Sequence, residues 1–190
     1  MGMLFLAGEI KAALIIAPKG VFGNWLHKEI PQHMSEDVKT DCLLWQPNTT
    51  QKFQKRLIQV ARGSGDALRI LIMNVEALST KKGTSVANDF LKLNPDSFVA
   101  VDESTTIKNR QAQRTKNIIK LGRQAKYKRI LTGSPITKNP MDLFSQCAFL
   151  NSSILGFDSY YAFQGRYAVV TQRKFGARSF QQITGYRNLE

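Results

Sequence analysis

Acidic side chains are scarce in this chain of 190 residues: fourteen Asp and Glu face twenty-seven Lys and Arg, giving a net charge of +13 and a pI near 10.0. That balance suits a polyanionic partner. Cysteine is nearly absent. Cys42 and Cys147 stand far apart in apolar settings, which excludes a disulfide framework and leaves them to be read as buried, reduced thiols. Histidine is as rare: His27 and His33 have no other ligand cluster nearby, so zinc is excluded and both are expected on the exposed side of a helix around Trp25. No apolar run approaches the roughly 18 residues of a membrane span. No basic region precedes the short apolar start, which argues against a secretory signal and for a cytoplasmic, intracellular location. The phosphate-cradling string Gly-x-x-x-x-Gly-Lys-Ser/Thr does not occur. The glycine-rich stretches Arg62-Gly63-Ser64-Gly65 and Lys82-Gly83-Thr84 are read instead as surface turns.

What remains is ordinary for a globular chain. A hydrophobic content of 43% with 22% charge excludes disorder. The length makes one domain with room for a sizeable core. Within it, Val99-Ala100-Val101-Asp102-Glu103 is a short apolar run ending in two carboxylates, followed by Ser104-Thr105-Thr106-Ile107-Lys108-Asn109. Such a run reads as a buried parallel strand whose carboxyl end delivers charge into a crevice, where open α/β sheets bind ligands. Nucleotide hydrolases need this pairing, with one carboxylate holding Mg²⁺ through water and its neighbour orienting the attacking water. An acidic strand-to-loop turn without chemistry is the other reading, and the pair alone does not separate them.

Further motifs bear on that choice. Leu131-Thr132-Gly133-Ser134-Pro135-Ile136 precedes Asn139-Pro140, then Asp142-Leu143-Phe144-Ser145-Gln146-Cys147-Ala148-Phe149-Leu150. With Asp102-Glu103 and Ile107-Lys108-Asn109, this order resembles motifs II and III of Swi/Snf-type ATPases, which are double-stranded-DNA translocases of the second helicase superfamily. Leu14-Ile15-Ile16-Ala17-Pro18-Lys19 with Asn24-Trp25 and Glu29-Ile30 is similar to their motif Ia. Ile70-Leu71-Ile72-Met73-Asn74-Val75-Glu76 falls where their motif Ib strand belongs. The resemblance covers about residues 12–150, and the stretch from Gly156 to Leu189 looks like the one leading out of the family's first lobe.

The resemblance implies a set of roles. Asp102 is the Mg²⁺-water ligand and Glu103 the general base. Thr132, Gly133 and Ser134 couple nucleotide state to DNA grip, or merely cap the sheet edge. Pro18, Lys19 and Gly20 form the motif Ia loop that touches a phosphate of DNA. Asn74, Lys108 and Asn109 are further DNA-binding candidates, although the family usually has a threonine-rich tip at the position of Asn74. Ser104-Thr105 replaces the family's more usual Ala-His, so its interlobe histidine has no counterpart. Trp25 and Trp45 are read as core or flank packing rather than stacking platforms.

The implied fold is α/β, a three-layer RecA-like lobe with a mostly parallel sheet, lacking the phosphate-loop strand and its helix. Met3-Leu4-Phe5-Leu6-Ala7 before Gly8 reads as the end of that helix with its terminating glycine. The expected strands are Ala13 to Ala17, Cys42 to Trp45, Leu68 to Asn74, Phe98 to Asp102 and Arg129 to Thr132. The expected helices run at about Asn24 to Ile30, Thr50 to Ala61, Ser85 to Leu93 and Arg110 to Leu121. Asn139-Pro140 should open another, burying Leu143, Phe144, Cys147 and Leu150. Residues 1–150 are expected to form the lobe. Residues 151–190 should form an extension with a helix at Ser159 to Tyr167 and a hairpin around Phe175-Gly176-Ala177-Arg178.

Basic residues crowd the stretch from Lys108 to Arg129, either as a solvated helix face or as contacts to DNA phosphates. The resulting expectation is a truncated piece of a DNA-dependent ATPase that uses ATP and Mg²⁺ when intact and binds neither alone. Its partners would be double-stranded DNA, a segment or chain supplying the phosphate loop and second RecA-like lobe, and a copy of itself. The alternative is a non-catalytic basic domain that binds DNA or protein. The phosphate-loop strand is expected between the motif II and motif III strands. Its loss should leave each with an unpaired edge or make them pair directly.

Overall fold

The computed structural model describes residues 1–48, 50–63, 66–176 and 178–189. Five parallel strands form one sheet in the order β2-β3-β1-β4-β5: β1 Ala12–Ala17, β2 Lys39–Leu44, β3 Ala67–Asn74, β4 Ser97–Asp102 and β5 Tyr127–Leu131. All six side chains of β1, Ala-Ala-Leu-Ile-Ile-Ala, are fully buried. A strand covered on both faces reads as such a continuous apolar run.

Alternation along the strands splits the core in two. Ala12, Leu14, Ile16, Val99 and Val101 face α4 Gln51–Arg62, α5 Lys81–Leu93, α6 Gln113–Gly122 and α7 Asp142–Leu150 through Phe53, Val60, Phe90, Ile118 and Phe149. Ala13, Ile15, Ile70, Phe98 and Ala100 face the opposite layer. That layer is α1 Gly2–Leu6, α2 Phe22–Asn24, a π-helical turn Trp25–Glu29 and α3 Ile30–His33. Each Leu or Ile so buried contributes about 1.5–3 kcal/mol. Pro31, inside this continuous helical stretch, has no N–H to offer the turn before it, and the ladder widens there.

The three-layer expectation holds, with strand limits moved by up to three residues. β4 and β5 pair directly, Phe98 opposite Tyr127 and Asp102 opposite Leu131, so no gap lies between the motif II and motif III strands. The free edges are those of β2 and β5. Gly8 ends α1 as expected: at φ +72 it lets its own N–H reach Phe5 and that of Glu9 reach Leu4, a Schellman turn.

Three expectations need correction. Lys82-Gly83-Thr84 is not a surface turn but the first turn of α5, capped by the Thr80 hydroxyl at 3.0 Å from the Gly83 N–H. A Cβ on Gly83 would sit 2.3 Å from the Ala77 carbonyl oxygen, so glycine is demanded by close approach. In the other stretch, Arg62 closes α4, while Ser64 and Gly65 lie outside the described residues. α7 is rotated from its expected face. Asp142, Ser145, Gln146 and Phe149 point inward, while Leu143, Phe144, Cys147 and Leu150 are only partly covered. Cys42 and Cys147 are half-buried free thiols rather than fully buried ones, each pushed up in pKa by burial.

Beyond α7, α8 Tyr160–Tyr167 starts at the Ser159 cap and leads into an antiparallel ribbon, β6 Ala168–Phe175 and β7 Arg178–Tyr186. Both ribbon strands run longer than expected, and Ala177 of the expected turn lies outside the described residues. Phe144, Phe157, Phe163 and Tyr167 form an aromatic cluster that fastens α8 and the ribbon's root to α7.

Candidate functional site

Parallel register brings the quoted motifs to one end of the sheet. Ala17 stands opposite Asn74, Ile16 opposite Val101, and Asp102 opposite Leu131. The Pro18–Gly20 loop, Asn74, the Asp102–Glu103 pair and the Thr132–Ser134 loop therefore all leave the carboxyl ends of adjacent strands, the usual ligand crevice of such sheets.

Asp102 closes β4. Its Oδ2 accepts from the Trp25 indole N–H at 2.9 Å, and its Oδ1 accepts from the Glu103 N–H at 2.9 Å. Trp25 is thus more than flank packing, because it ties the helix after β1 to the carboxylate at the tip of β4. Trp45 is the packing residue expected, buried edge-on against Phe53. Glu103 is exposed and left-handed at φ 47, ψ 59. That conformation is costly for a residue with a Cβ and is held where the surrounding fold over-determines it. It turns the chain sharply into the 3₁₀ turn Ser104–Ile107.

Ser104 is fully buried, and its hydroxyl donates to Gln146 Oε1 at 2.5 Å. The Gln146 amide in turn donates to the Pro135 carbonyl at 2.7 Å and the Asp142 carbonyl at 2.8 Å. Asp142 Oδ2 accepts from the Thr137 N–H, the Thr137 hydroxyl and the Lys138 N–H at 2.8–3.0 Å. Burial works against the Asp142 charge. The Lys138 and Thr137 bonds and the Lys108 ammonium outweigh it and hold the carboxyl below its ordinary pKa. A buried polar bridge of Ser104, Gln146 and Asp142 thereby joins the loop after β4 to the loop after β5. Neither Gln146 nor Asp142 was expected to have this task. The only sequence signal was a polar pair, Ser145-Gln146, inside an apolar helix.

The DNA-binding candidates separate by surroundings. Lys19 and Gly20 are exposed with Pro18 half-covered, and the Pro18 carbonyl accepts from the Val21 and Phe22 N–H groups to fix the loop. The Asn74 amide donates to Glu76 at 3.1 Å. The Lys108 ammonium is bonded to the Thr137 hydroxyl and lies 3.9 Å from Asp142, so it holds the motif III loop rather than standing free. Asn109 is exposed but caps its own turn, accepting from the Gln111 N–H at 3.0 Å. The Ser134 N–H donates to the Thr132 hydroxyl at 3.2 Å, while Gly133 is exposed.

Much of the crowded positive charge is similarly employed. Arg110 lies 4.0 Å above the Tyr160 ring, Arg114 donates to the Thr106 carbonyl, and Lys126 pairs with Glu9 at 2.9 Å. His27 and His33 are exposed, as expected.

Among the described residues no group of three or more His, Cys, Asp or Glu is placed to hold a metal ion, and no helix is long and apolar enough to cross a membrane. Asp102 and Glu103 supply carboxylates suited to a hydrated Mg²⁺. The cradle that a nucleoside triphosphate requires is not among these 190 residues, so the donor set does not fit ATP–Mg²⁺ by itself.

The profile of the SNF2-related domain matches residues 5–184. The DNA annealing helicase and endonuclease ZRANB3 of Bos taurus is 33% identical over 195 aligned positions, spanning 100% of this chain and 16% of that protein. Protein CHROMATIN REMODELING 20 of Arabidopsis thaliana is 28% identical over 155 positions, 77% of this chain and 10% of its own length. Among solved structures, the Sulfolobus solfataricus SWI2/SNF2 ATPase core in complex with dsDNA superposes with a TM-score of 0.61 at 23% identity. That match covers 87% of this chain and 30% of the other, and at that identity it establishes the fold. The chain thus spans no more than 16% of these two sequence relatives.

Proposed function

The chain belongs to the SNF2-related domain family, and from that premise we propose that it is the DNA-gripping part of the first RecA-like lobe of a Swi/Snf-type, ATP-dependent double-stranded-DNA translocase. Residues 1–150 form the lobe and 151–190 an extension leading out of it. By itself the chain hydrolyses no ATP. The observation that carries this reading is the single row of strand ends that brings Pro18–Gly20, Asn74, Asp102–Glu103 and Thr132–Ser134 together.

Lys19 and the amides of its loop meet a duplex phosphate, a contact that positions without reading sequence. Asn74 and Asn109 are further contacts to the duplex, and Lys108 acts through the loop it holds. Asp102 and Glu103 are the catalytic carboxylates of the assembled enzyme. ATP and Mg²⁺ are held only when another segment or chain brings a phosphate loop, and a second lobe completes the site. Thr132, Gly133 and Ser134 answer to that nucleotide through the Ser104–Gln146–Asp142 bridge. The whole protein works inside the cell, on DNA.

Purified chain should release no phosphate from ATP, with or without DNA. It should bind duplexes weakly and without sequence preference. If about six phosphates are neutralised, log affinity against log salt has a slope near −5, and Lys19→Glu flattens it by about one unit. DNA-stimulated phosphate release abolished by Glu103→Gln overturns the placement of the nucleotide site. Affinity that stays flat with salt overturns the DNA contact.

A second reading, a basic binding domain without catalysis, is favoured by the engagement of both Asp102 oxygens. ATP titration of a longer chain carrying a Gly-Lys-Ser/Thr loop separates the two. Binding weakened by Asp102→Asn selects the first reading, and binding indifferent to it selects the second.

A further inference from the structure

Among the described residues, nothing covers the outer half of the β6–β7 ribbon. Residues directly opposite in an antiparallel pair share a face. Arg173 stands opposite Phe180, and Phe175 opposite Arg178. Two rings and two guanidinium groups therefore form a checkerboard on one side, with successive same-side positions about 7 Å apart along each strand.

Phe175 is 83% exposed and Phe180 49%. Single exposed apolar residues need no explanation, but two rings aligned on one face beside unpaired arginines call for one. Neither Arg173 nor Arg178 belongs to an ion pair among the described residues. No Asp or Glu occurs between Asp158 and Glu190, a stretch that holds Arg166, Arg173, Lys174, Arg178 and Arg187.

The ribbon is also firmly rooted. The Arg187 N–H donates to the Tyr167 carbonyl at 3.0 Å, the Asn188 amide donates to Arg166 at 2.8 Å, and Ala168 and Ile183 sit in the aromatic cluster. Gln181 and Ile183, on the other face of the ribbon, line a polar groove together with Lys108, Asn109 and Tyr161, so the face with the rings is turned away from the lobe.

We propose that this ribbon face is a second nucleic-acid site, one that takes unpaired nucleotides: bases stack on Phe175 and Phe180 while Arg173 and Arg178 meet the backbone. Flat rings interleaved with guanidinium groups suit any base, because every base has a π-face. The site deepens the duplex-binding reading, resting on it for the class of polymer and adding recognition of an unpaired end.

The test is fluorescence anisotropy of the full chain with four labelled probes: a 20-nucleotide oligothymidylate, a blunt 20-base-pair duplex, that duplex with a ten-nucleotide unpaired tail, and polyglutamate as an acidic polypeptide. Phe175→Ala with Phe180→Ala should weaken the oligothymidylate and tailed duplex by about tenfold per ring lost. The blunt duplex should stay within about twofold. Lys19→Glu should weaken both duplex probes and spare the oligothymidylate. Phe175→Trp should keep wild-type affinity, and its fluorescence should be quenched on binding. Because both rings project into solvent, the variants should keep the wild-type circular dichroism spectrum.

Equal losses on blunt and tailed duplex, unchanged binding of all probes by the double variant, or loss only of binding to polyglutamate would each overturn the proposal, the last by making the ribbon a protein-docking surface. If the wild-type chain binds no nucleic acid, the duplex reading falls as well. If only the ribbon variants are silent, this inference falls alone.

Discussion

Two β-structures in this chain are built on opposite plans. In the five-stranded sheet, β1 is a strand of aliphatic residues with every side chain fully buried. In the ribbon, β6 carries Val-Val-Thr-Gln-Arg-Lys-Phe and leaves all of them exposed after Ala168. The sheet's stability comes from two apolar layers pressed on it. A lone two-stranded ribbon is marginal in water, and this one persists because its root is fastened to α8 by hydrogen bonds from Arg187 and Asn188 and by an aromatic cluster. The comparison teaches that strand propensity is shared but burial is not. Burial decides which side chains serve the fold and which remain for a partner.

The largest effect expected from this contrast is a pair of identical substitutions. Phe90→Ala removes a ring that is 1% exposed against the sheet and should cost about 3–5 kcal/mol in chemical denaturation. Phe175→Ala, on a ring 83% exposed, should move the midpoint by less than about 0.5 kcal/mol. Comparable losses would mean that the ribbon folds back onto the lobe in solution.

The polar bridge at the carboxyl end of the sheet sharpens the comparison next. Ser104→Ala leaves Gln146 Oε1 buried without its donor and should cost about 1–3 kcal/mol. Its amides should show faster hydrogen exchange in both the 104–107 and 132–138 segments. Protection that changes in only one segment would show that the two loops are independent.

The smallest effect is an acid limb confined to the lobe. The Asp142 carboxyl titrates below its ordinary value in the folded chain, so its contribution is present above about pH 4 and is lost as pH falls through the lowered value. Asp142→Asn should therefore be less stable than wild type at neutral pH. The difference should close in thermal melts as pH drops below about 4. The ribbon, without a carboxylate between Asp158 and Glu190, should contribute no such limb. A gap between variant and wild type that is constant across this range would overturn the assignment.

Much of the lobe was legible because its signals are local. An apolar run of strand length that ends in Asp102-Glu103 reads as a buried strand with charge at its tip, and β4 is that strand. The helix limits at α4 and α8 followed from Thr50 and Ser159, whose hydroxyls satisfy free N–H groups of the first turn.

Where the reading went astray, distant contacts had overridden local pattern. Leu143, Phe144, Cys147 and Leu150 make a plausible buried face on a helical wheel. The inside of α7 is nevertheless taken by Gln146, because its carboxamide finds Ser104 forty-two positions away. Trp25 resembled packing until its indole N–H reached Asp102 across seventy-seven positions. Lys108 resembled a free cation until the motif III loop folded onto it.

The sequence by itself determined the parallel α/β lobe, the motif residues at its strand tips, the excess of positive charge and the lack of a Gly-Lys-Ser/Thr phosphate loop in these 190 residues, because periodicity, composition and motif order act within a few residues. Only the tertiary structure decided that the motif II and motif III strands pair directly, which cations are already engaged, and that two Arg–Phe pairs share one exposed face of the ribbon. Those outcomes depend on register and on side chains that meet only after the chain has closed on itself, and no local pattern encodes them.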